Sequence, residues 1–431
     1  MKIIIKQLFN QFDYELDIFN DEITIITGPN GFGKSTILKM IKCLSNGVFG
    51  IISLSYIPFQ YFYVERNNVI IEIKKEADSF IYNNSLIRIN DMERLLARFI
   101  RRNRYIYSFD DEHIIDKRSD KVYTMSEYID YIISNDEFFD DDEFATSINR
   151  ELMTLKKDVL NIVQEKSKDF GNVYFLEEQR LIKRNHISKK AVTDDDTINI
   201  IDEIPSKMMR IFSDYTTKYS SYAAGLDSSF PNRLFKQKKG INESDYNNKL
   251  DDFINKYSQM KKYELANIDF TSFTYNQEYS KVLKVYFDDF QSKYNIYEDF
   301  IEKLELFTEI VNSRLSFKKI YVSKDYGIKV LNDETDNIPL SSLSSGEKQE
   351  IVLFFELIFD TPKGALLLID EPEISLHVAW QKKFISDLLR VMKISNSSAI
   401  IATHSPQIID SRWEIIKDLG ELYELSKERI D

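Results

Sequence analysis

The chain has 431 residues, 43% hydrophobic and 29% charged, with a net charge of −13. It is long enough for a sizeable core and more than one lobe, and its acidic balance confines any nucleic-acid contact to local patches. No apolar run approaches the roughly 18 residues of a membrane helix, the opening MKIIIKQLF lacks a signal-peptide pattern, and the single cysteine, Cys43, excludes an internal disulfide and is read as a small apolar helix residue; the expectation is a cytoplasmic protein with no membrane partner.

In chain order, residues 2–8, 12–19 and 22–27 predict three strands. The last of them, with Ile23, Ile25 and Ile26, runs into Gly28–Ser35, which fits G-x-x-x-x-G-K-S, the phosphate-binding loop. Its glycines let several N–H groups point into one hollow. Ser35 and Thr36 open a helix whose positive end faces that hollow, with apolar positions at Ile37, Leu38, Ile41 and Leu44. Lys34 is placed to reach the β- and γ-phosphates, and the Ser35 hydroxyl to ligate Mg²⁺.

Phe59–Arg66 and Val69–Lys75, joined by Asn67-Asn68, read as a β-hairpin. Residues 76–170 read as mostly helical and strongly charged. Arg94, Arg98, Arg101, Arg102 and Arg104 cluster there, as a phosphate-backbone contact, a docking site for an acidic partner, or a solvated helix face. The acidic stretch Asp136–Glu143 reads as a solvated loop, or as a partner for those arginines. Val173–Leu176 predicts a strand returning to the core, and 183–197 a polar loop.

Helical patterns then run to Arg314, the longest over Gln277–Arg314. Ser229-Phe230-Pro231 within LDSSFPNRLF signals a helix boundary. Strands resume at Phe317–Val322 and Tyr326–Leu331. Histidines at 113 and 186 are read as structural.

Three further motifs follow. LSSGEKQ at Leu343–Gln349 is a serine- and glycine-containing turn at a helix start, a second anion-binding device. LLLIDE at Leu366–Glu371 predicts a central parallel strand delivering two carboxylates at its C-terminal end. Asp370 is suited to hold Mg²⁺ and Glu371 to accept a proton from an attacking water. AIIATH at Ala399–His404 presents His404 just past another buried strand, where it can hydrogen-bond a γ-phosphate or orient the water.

Taken together, these four pieces resemble the ATP-binding-cassette ATPases, in the soluble branch with the SMC and RecF-like proteins. Gly28–Thr36 matches Walker A, Leu343–Gln349 the signature, Leu366–Glu371 Walker B and His404 the switch histidine. The match covers roughly residues 1–75 and 316–415. The resemblance implies ATP and Mg²⁺ as ligands. Asn30, Gly31, Gly33, Lys34, Ser35 and Thr36 would bind nucleotide in one subunit, and Ser344, Ser345 and Gly346 would contact the nucleotide of its partner. Glu371 and His404 would be catalytic. Ser35, Asp370 and Gln179 would serve the metal, Gln179 looking like the Q-loop glutamine, with Gln60 a competitor for that role. It also implies a head-to-tail homodimer, or a higher even-numbered homo-oligomer, with two ATP molecules sandwiched.

One departure is that Ser345 and Glu347 replace the first Gly and the Gln of the transporter signature LSGGQ. With Glu371-Pro372-Glu373, Leu376-His377 and THSPQII, the pattern is similar to OLD-like ATPases of bacterial anti-phage systems, among them the ATPase subunits of PARIS and Septu. Such ATPases are paired with a nuclease of Toprim-like or HNH type. No such nuclease site is visible in this sequence, and little chain follows THSPQII for one.

The expected fold is therefore α/β: an ABC-ATPase head, a mixed sheet flanked by helices, with a large helical insertion. The head is read as 1–75 and 316–431 with strand 173–179. Residues 76–172 are read as a charged helical insertion, and 180–315 as a helical insertion forming a stalk or oligomer contact. The Gln277–Arg314 helix would span about 57 Å, too short for a coiled-coil arm of SMC type. The expected function is an ATP-hydrolysing sensor and scaffold of anti-phage defence that controls a separate toxic nuclease, with DNA or a phage protein as trigger. A RecF-like DNA-repair clamp is the alternative, favoured by the arginines and opposed by the net charge. A transporter motor is disfavoured by the size of the helical insertion.

Overall fold

The structure is a computed structural model of all 431 residues. It describes residues 1–18, 23–89, 91, 106–108, 113–116, 121–124, 157–176, 182–184, 197–266, 274–334, 336–410 and 412–428. The chain divides into two compact units, Met1–Ile198 with Thr361–Asp431, and Asn199–Asp360.

The two largest sheets of the first unit share its core. One is parallel, in the order Val173–Leu176, Leu366–Asp370, Ser398–Ala402, Ile23–Thr27 and Ile416–Asp418. All five residues of Leu366–Asp370 are buried, as a central parallel strand covered on both faces requires. The other is antiparallel, in the order Phe12–Asp17, Lys2–Leu8, Tyr61–Arg66, Val69–Glu76, Ser79–Tyr82 and Ser85–Arg88. Helix Lys34–Ser45 joins them in one core: its Ile37, Leu38, Ile41 and Leu44 share a cluster with Ile3, Ile5 and Phe62 from one sheet and Leu366, Leu368 and Ile400 from the other. Cys43 is buried in that cluster, as a small apolar residue would be.

The predicted hairpin forms. Asn67 and Asn68 turn with φ of 50° and 64°, the double left-handed geometry that a two-residue turn demands. The stretch 76–170, read from the sequence as mostly helical, is described only in part. Its described residues include strands Ser79–Tyr82, Ser85–Arg88, Ile106–Ser108, His113–Asp116 and Lys121–Thr124 and the helix Lys157–Phe170. A second Asn-Asn turn, Asn83-Asn84 at φ 43° and 67°, sits between runs that bury Phe80, Tyr82 and Ile87 at alternate positions. The density of charge around them hid a period of two. Arg94–Arg104, Asp136–Glu143, Gln179 and His186 lie outside the described residues.

The second unit carries helices Ile200–Lys236, Glu243–Lys262, Ser280–Asn312 and Ser345–Phe355. It also carries an antiparallel sheet of Lys318–Ser323, Gly327–Asn332 and Asn337–Ile338. Residues 316–360, read from the sequence with the head, group here with the helices. Aromatic rings zip the two longest helices together, Tyr215 stacking on Phe300 at 4.4 Å and Tyr219 on Tyr297 at 4.7 Å. A second cluster, Tyr246 and Phe253 against Leu283 and Phe287, joins Glu243–Lys262 to Ser280–Asn312.

The longest helix is not the expected 277–314 but Ile200–Lys236, at 37 residues against 33 for Ser280–Asn312. It runs straight through the boundary signal at Pro231. A helix-interior proline removes one amide donor and crowds the preceding turn. Leu226 O, one residue before the carbonyl that Pro231 leaves without its helical donor, accepts from Ser229 Oγ at 3.0 Å and from the Arg233 guanidinium at 2.7 Å. Arg233 is itself paired with the buried Asp289.

Candidate nucleotide site

The parallel sheet places its chemistry at the C-terminal ends of three adjacent strands, where open α/β sheets hold ligands. Ile23–Thr27 delivers Gly28–Ser35, Leu366–Asp370 delivers Asp370 and Glu371, and Ser398–Ala402 delivers Thr403 and His404. Gly28, Gly31 and Gly33 have φ of 141°, 84° and 88°, in the region where side chains are strained. At Gly33 a Cβ would also stand 2.8 Å from Leu8 Cδ2. The loop is braced from behind: Tyr14 donates to Phe32 O at 2.9 Å, and the Phe32 ring packs on Phe12 and Tyr423 at 5.0 and 5.8 Å. Asp418 accepts from the Thr27 hydroxyl at 2.7 Å and caps the helix Leu419–Glu428 through Gly420 N–H at 2.8 Å.

Five of the residues singled out from the sequence converge. Ser35 Oγ donates to Asp370 Oδ1 at 2.9 Å. The buried Lys34 ammonium donates to Gly28 O at 3.1 Å and sits against His404 Nε2. His404 Nε2 lies 3.4 Å from Glu371 Oε1. With the Lys34 cation as donor at Nε2, a neutral imidazole carries its proton on Nδ1. Asn30 and Gly31 are exposed on the outer rim of the loop, and a Cβ at Gly31 would meet open space.

The electrostatics fit one protonated carboxyl among several charges. Burial pushes the Glu371 carboxyl up to about 8, helped by its hydrogen bond to Glu373 and the charges of Glu373 and Asp370, with Lys34 opposing. Burial lowers Lys34, against the pull of Glu371 and Asp370. Burial also lowers His404, and the Lys34 charge adds to it. Glu371 holds a left-handed backbone, φ 42° and ψ 57°, an uncommon conformation for this residue type at the end of a strand.

Whether these residues suit Mg²⁺ and a polyphosphate is answered by their chemistry. Ser35 Oγ and Asp370 Oδ1 are adjacent hard oxygens of the kind Mg²⁺ takes. Among the described residues no group of three or more His, Cys, Asp or Glu could hold a metal unaided. A Mg²⁺ here would complete its shell with phosphate and water oxygens, which is how this ion is usually held with nucleotides.

The turn Leu343–Gln349 belongs to the second unit. Ser344 and Ser345 are exposed at the start of helix Ser345–Phe355, with Gly346 half-buried. Ser344 and Glu347 form a reciprocal capping box. Glu347 N–H donates to Ser344 Oγ at 3.3 Å, and Ser344 N–H donates to Glu347 Oε2 at 2.9 Å. Burial alone would raise the Glu347 carboxyl, but the Lys318 ammonium at 2.8 Å and the Ser344 donors bring it below its ordinary value. Glu347, one of the two residues that distinguish this turn from LSGGQ, therefore takes part in its cap.

Gln179 lies outside the described residues. Gln60 is exposed at the edge of the hairpin, its backbone N–H donating to Lys6 O at 3.0 Å. Glu373 stands in the sequence reading only as part of Glu371-Pro372-Glu373, with no role of its own. It accepts from Thr403 Oγ1 at 2.7 Å and from His404 N–H at 2.8 Å. A carboxylate two positions past Glu371 in a Pro-containing turn was the available signal.

The family model described as AAA ATPase domain matches residues 1–409. Among known proteins the chain is similar to Protein ea59 of Escherichia phage lambda, 27% identical over 122 residues, which are 27% of this chain and 23% of that protein. It is also similar to UvrABC system protein A of Micrococcus luteus, 33% identical over 96 residues, 22% of this chain and 9% of that protein. The matched stretches thus span less than a quarter of either relative. Among solved structures, the SMC head domain from Thermotoga maritima aligns with 97% of this chain and 93% of its own, at 13% identity and a TM-score of 0.34. Among the described residues no helix is long and apolar enough to cross a membrane.

Proposed function

This chain belongs to the AAA ATPase domain family, and from that premise we propose that Gly28–Ser35, Asp370, Glu371 and His404 form its ATP-hydrolysing centre. Family membership makes it an ATPase in the general sense. The finer assignment rests on one observation, the convergence of Lys34, Ser35, Asp370, Glu371 and His404 at the ends of three neighbouring parallel strands. Asn30, Gly31, Gly33 and Thr36 line or open the loop that binds the phosphates. Lys34 exchanges its His404 contact for a phosphate oxygen. Ser35 and Asp370 hold Mg²⁺, which neutralises charge on the transferred phosphoryl group when bound. Glu371 takes the proton of the attacking water once the neighbouring cations favour its ionised form, and His404 fixes the position of that water or of the γ-phosphate.

The exposed Ser344 and Ser345, with Gly346, serve the nucleotide of a second copy, so that ATP draws two chains together head to tail as a homodimer or a higher even-numbered assembly. In the same reading, Gln179 senses the metal. The assembly acts as a cytoplasmic sensor and scaffold in anti-phage defence, holding or releasing a separate Toprim-like or HNH nuclease on a DNA or phage-protein trigger. What supports this is the motif set and the exposed signature turn.

The test is turnover and mass together. Glu371→Gln should abolish steady-state phosphate release, retain ATP, and shift the protein to an even-numbered assembly by light scattering. Ser344→Arg should remove that shift while leaving nucleotide binding. A Glu371→Gln protein that hydrolyses ATP at the wild-type rate would refute the assignment.

A further inference from the structure

We propose that Glu373 is a positioning residue of the hydrolytic centre: its carboxylate ties the turn after Leu366–Asp370 to the His404 loop, holding Glu371 and the imidazole in register. The inference rests on the reading of Glu371 and His404 given above. It starts from a question of support. The His404 side chain is 38% exposed, so packing does not hold it, and its contacts with Lys34 and Glu371 are those a nucleotide would rearrange. Its orientation must come from its backbone.

That backbone is held by Glu373. The left-handed Glu371 and the rigid Pro372 turn the chain into the short 3₁₀ segment Pro372–Ser375, which directs Glu373 back toward the sheet. One oxygen, Oε1, then accepts both the Thr403 hydroxyl at 2.7 Å and the His404 N–H at 2.8 Å. Hydrogen bonds to a charged acceptor are roughly twice as strong as neutral ones. Thr403 is fully buried, so its hydroxyl has little freedom to find another partner.

The contact is part of a closed circuit. Thr403 Oγ1 accepts from Ser405 N–H at 3.0 Å, and Ser405 Oγ donates to Gln381 Oε1 at 2.6 Å. The buried Gln381 returns its amide to Glu373 O at 3.4 Å and Leu376 O at 3.2 Å. Two segments about thirty residues apart in the chain are thereby riveted at two points, one on each side of His404. Only the Glu373 rivet touches the histidine itself. A residue acting this way should alter the chemical step and leave ground-state nucleotide binding alone, because a misplacement of about 1 Å near a reacting group can cost on the order of a hundredfold in rate.

The experiment compares Glu373→Ala and Glu373→Gln with the wild-type full chain, measuring kcat, KM for ATP and equilibrium binding of a fluorescent ATP analogue. Glutamine keeps the acceptor oxygen and loses the charge. The expected result is a kcat lowered on the order of a hundredfold in Glu373→Ala, with KM and analogue affinity within about twofold of wild type, and recovery of tenfold or more of the lost rate in Glu373→Gln. Wild-type kcat in Glu373→Ala overturns the inference, as does equal loss in both variants, which would make charge the operative property. Loss of analogue binding in Glu373→Ala also overturns it, by moving Glu373 into the binding frame. If Glu373→Ala does not fold, Thr403→Val, which removes one of the two donors, must lower kcat without raising KM. A wild-type chain without ATP turnover would instead defeat the underlying functional reading.

Discussion

The Ser35 hydroxyl donates to Asp370 Oδ1 across 2.9 Å, joining residues 335 positions apart. The contact brings the start of one helix and the end of a parallel strand to a single point beside the Lys34 ammonium. It predicts that metal dependence and turnover are lost together. Asp370→Asn should lower Mg²⁺-dependent hydrolysis on the order of a hundredfold or more and move the Mg²⁺ optimum upward. A Mg²⁺ titration of steady-state phosphate release checks it; an unchanged midpoint would remove Asp370 from the metal site.

Stability should fall with pH because of Glu371. Its folded value is raised from 4.5 to about 8 by burial and the Glu373 carboxylate, so the folded state binds more protons than the unfolded chain between those limits. Unfolding free energy therefore declines as pH rises through that window and levels off above about 8. Glu371→Gln removes the titration. Its melting temperature relative to wild type should rise steadily from pH 5 to pH 8, and a constant difference would show that Glu371 ionises normally.

Gly33→Ala should disable the loop. The backbone there stands at φ 88°, and the new Cβ would meet Leu8 Cδ2 at 2.8 Å. Strain of this kind costs about 1–3 kcal/mol, and its relief would move Lys34, the next residue. We expect a loss of stability of that size in denaturant unfolding and ATP affinity reduced tenfold or more by calorimetry.

The second unit depends on a buried charge pair. Arg314 and Glu350 lie 3.1 Å apart with side chains only 2% exposed, the guanidinium over the Phe354 ring at 4.5 Å. Breaking such a pair leaves an uncompensated buried charge at a cost of about 3–5 kcal/mol. Arg314→Ala should destabilise by that amount, whereas Arg314→Met with Glu350→Leu should recover much of it. Urea unfolding of the three proteins decides between a structural pair and one that the unit does not need.

Several elements are legible in the sequence alone. Periodicity and turn chemistry named the hairpin at Asn67-Asn68, the buried strand Leu366–Asp370 and the loop helix, because each signal lies within about ten residues. Legibility failed where local cues conflicted. Dense charge masked the alternation around Asn83-Asn84, and Pro231 announced an end to a helix that runs on to Lys236, its last turns fastened to Ser280–Asn312 by the Arg233–Asp289 pair.

The sequence by itself determined which residue types were available for phosphate, metal and proton, since a phosphate loop, an Asp-Glu strand end and a strand-end histidine are each written in short contiguous runs. Only the tertiary structure decided that Lys34, Ser35, Asp370, Glu371 and His404 share one point, and that Glu373 holds the histidine loop to the carboxylate turn. The reason is geometric: parallel strands distant in sequence are aligned edge to edge by their hydrogen bonds, and no local pattern encodes which strand ends become neighbours.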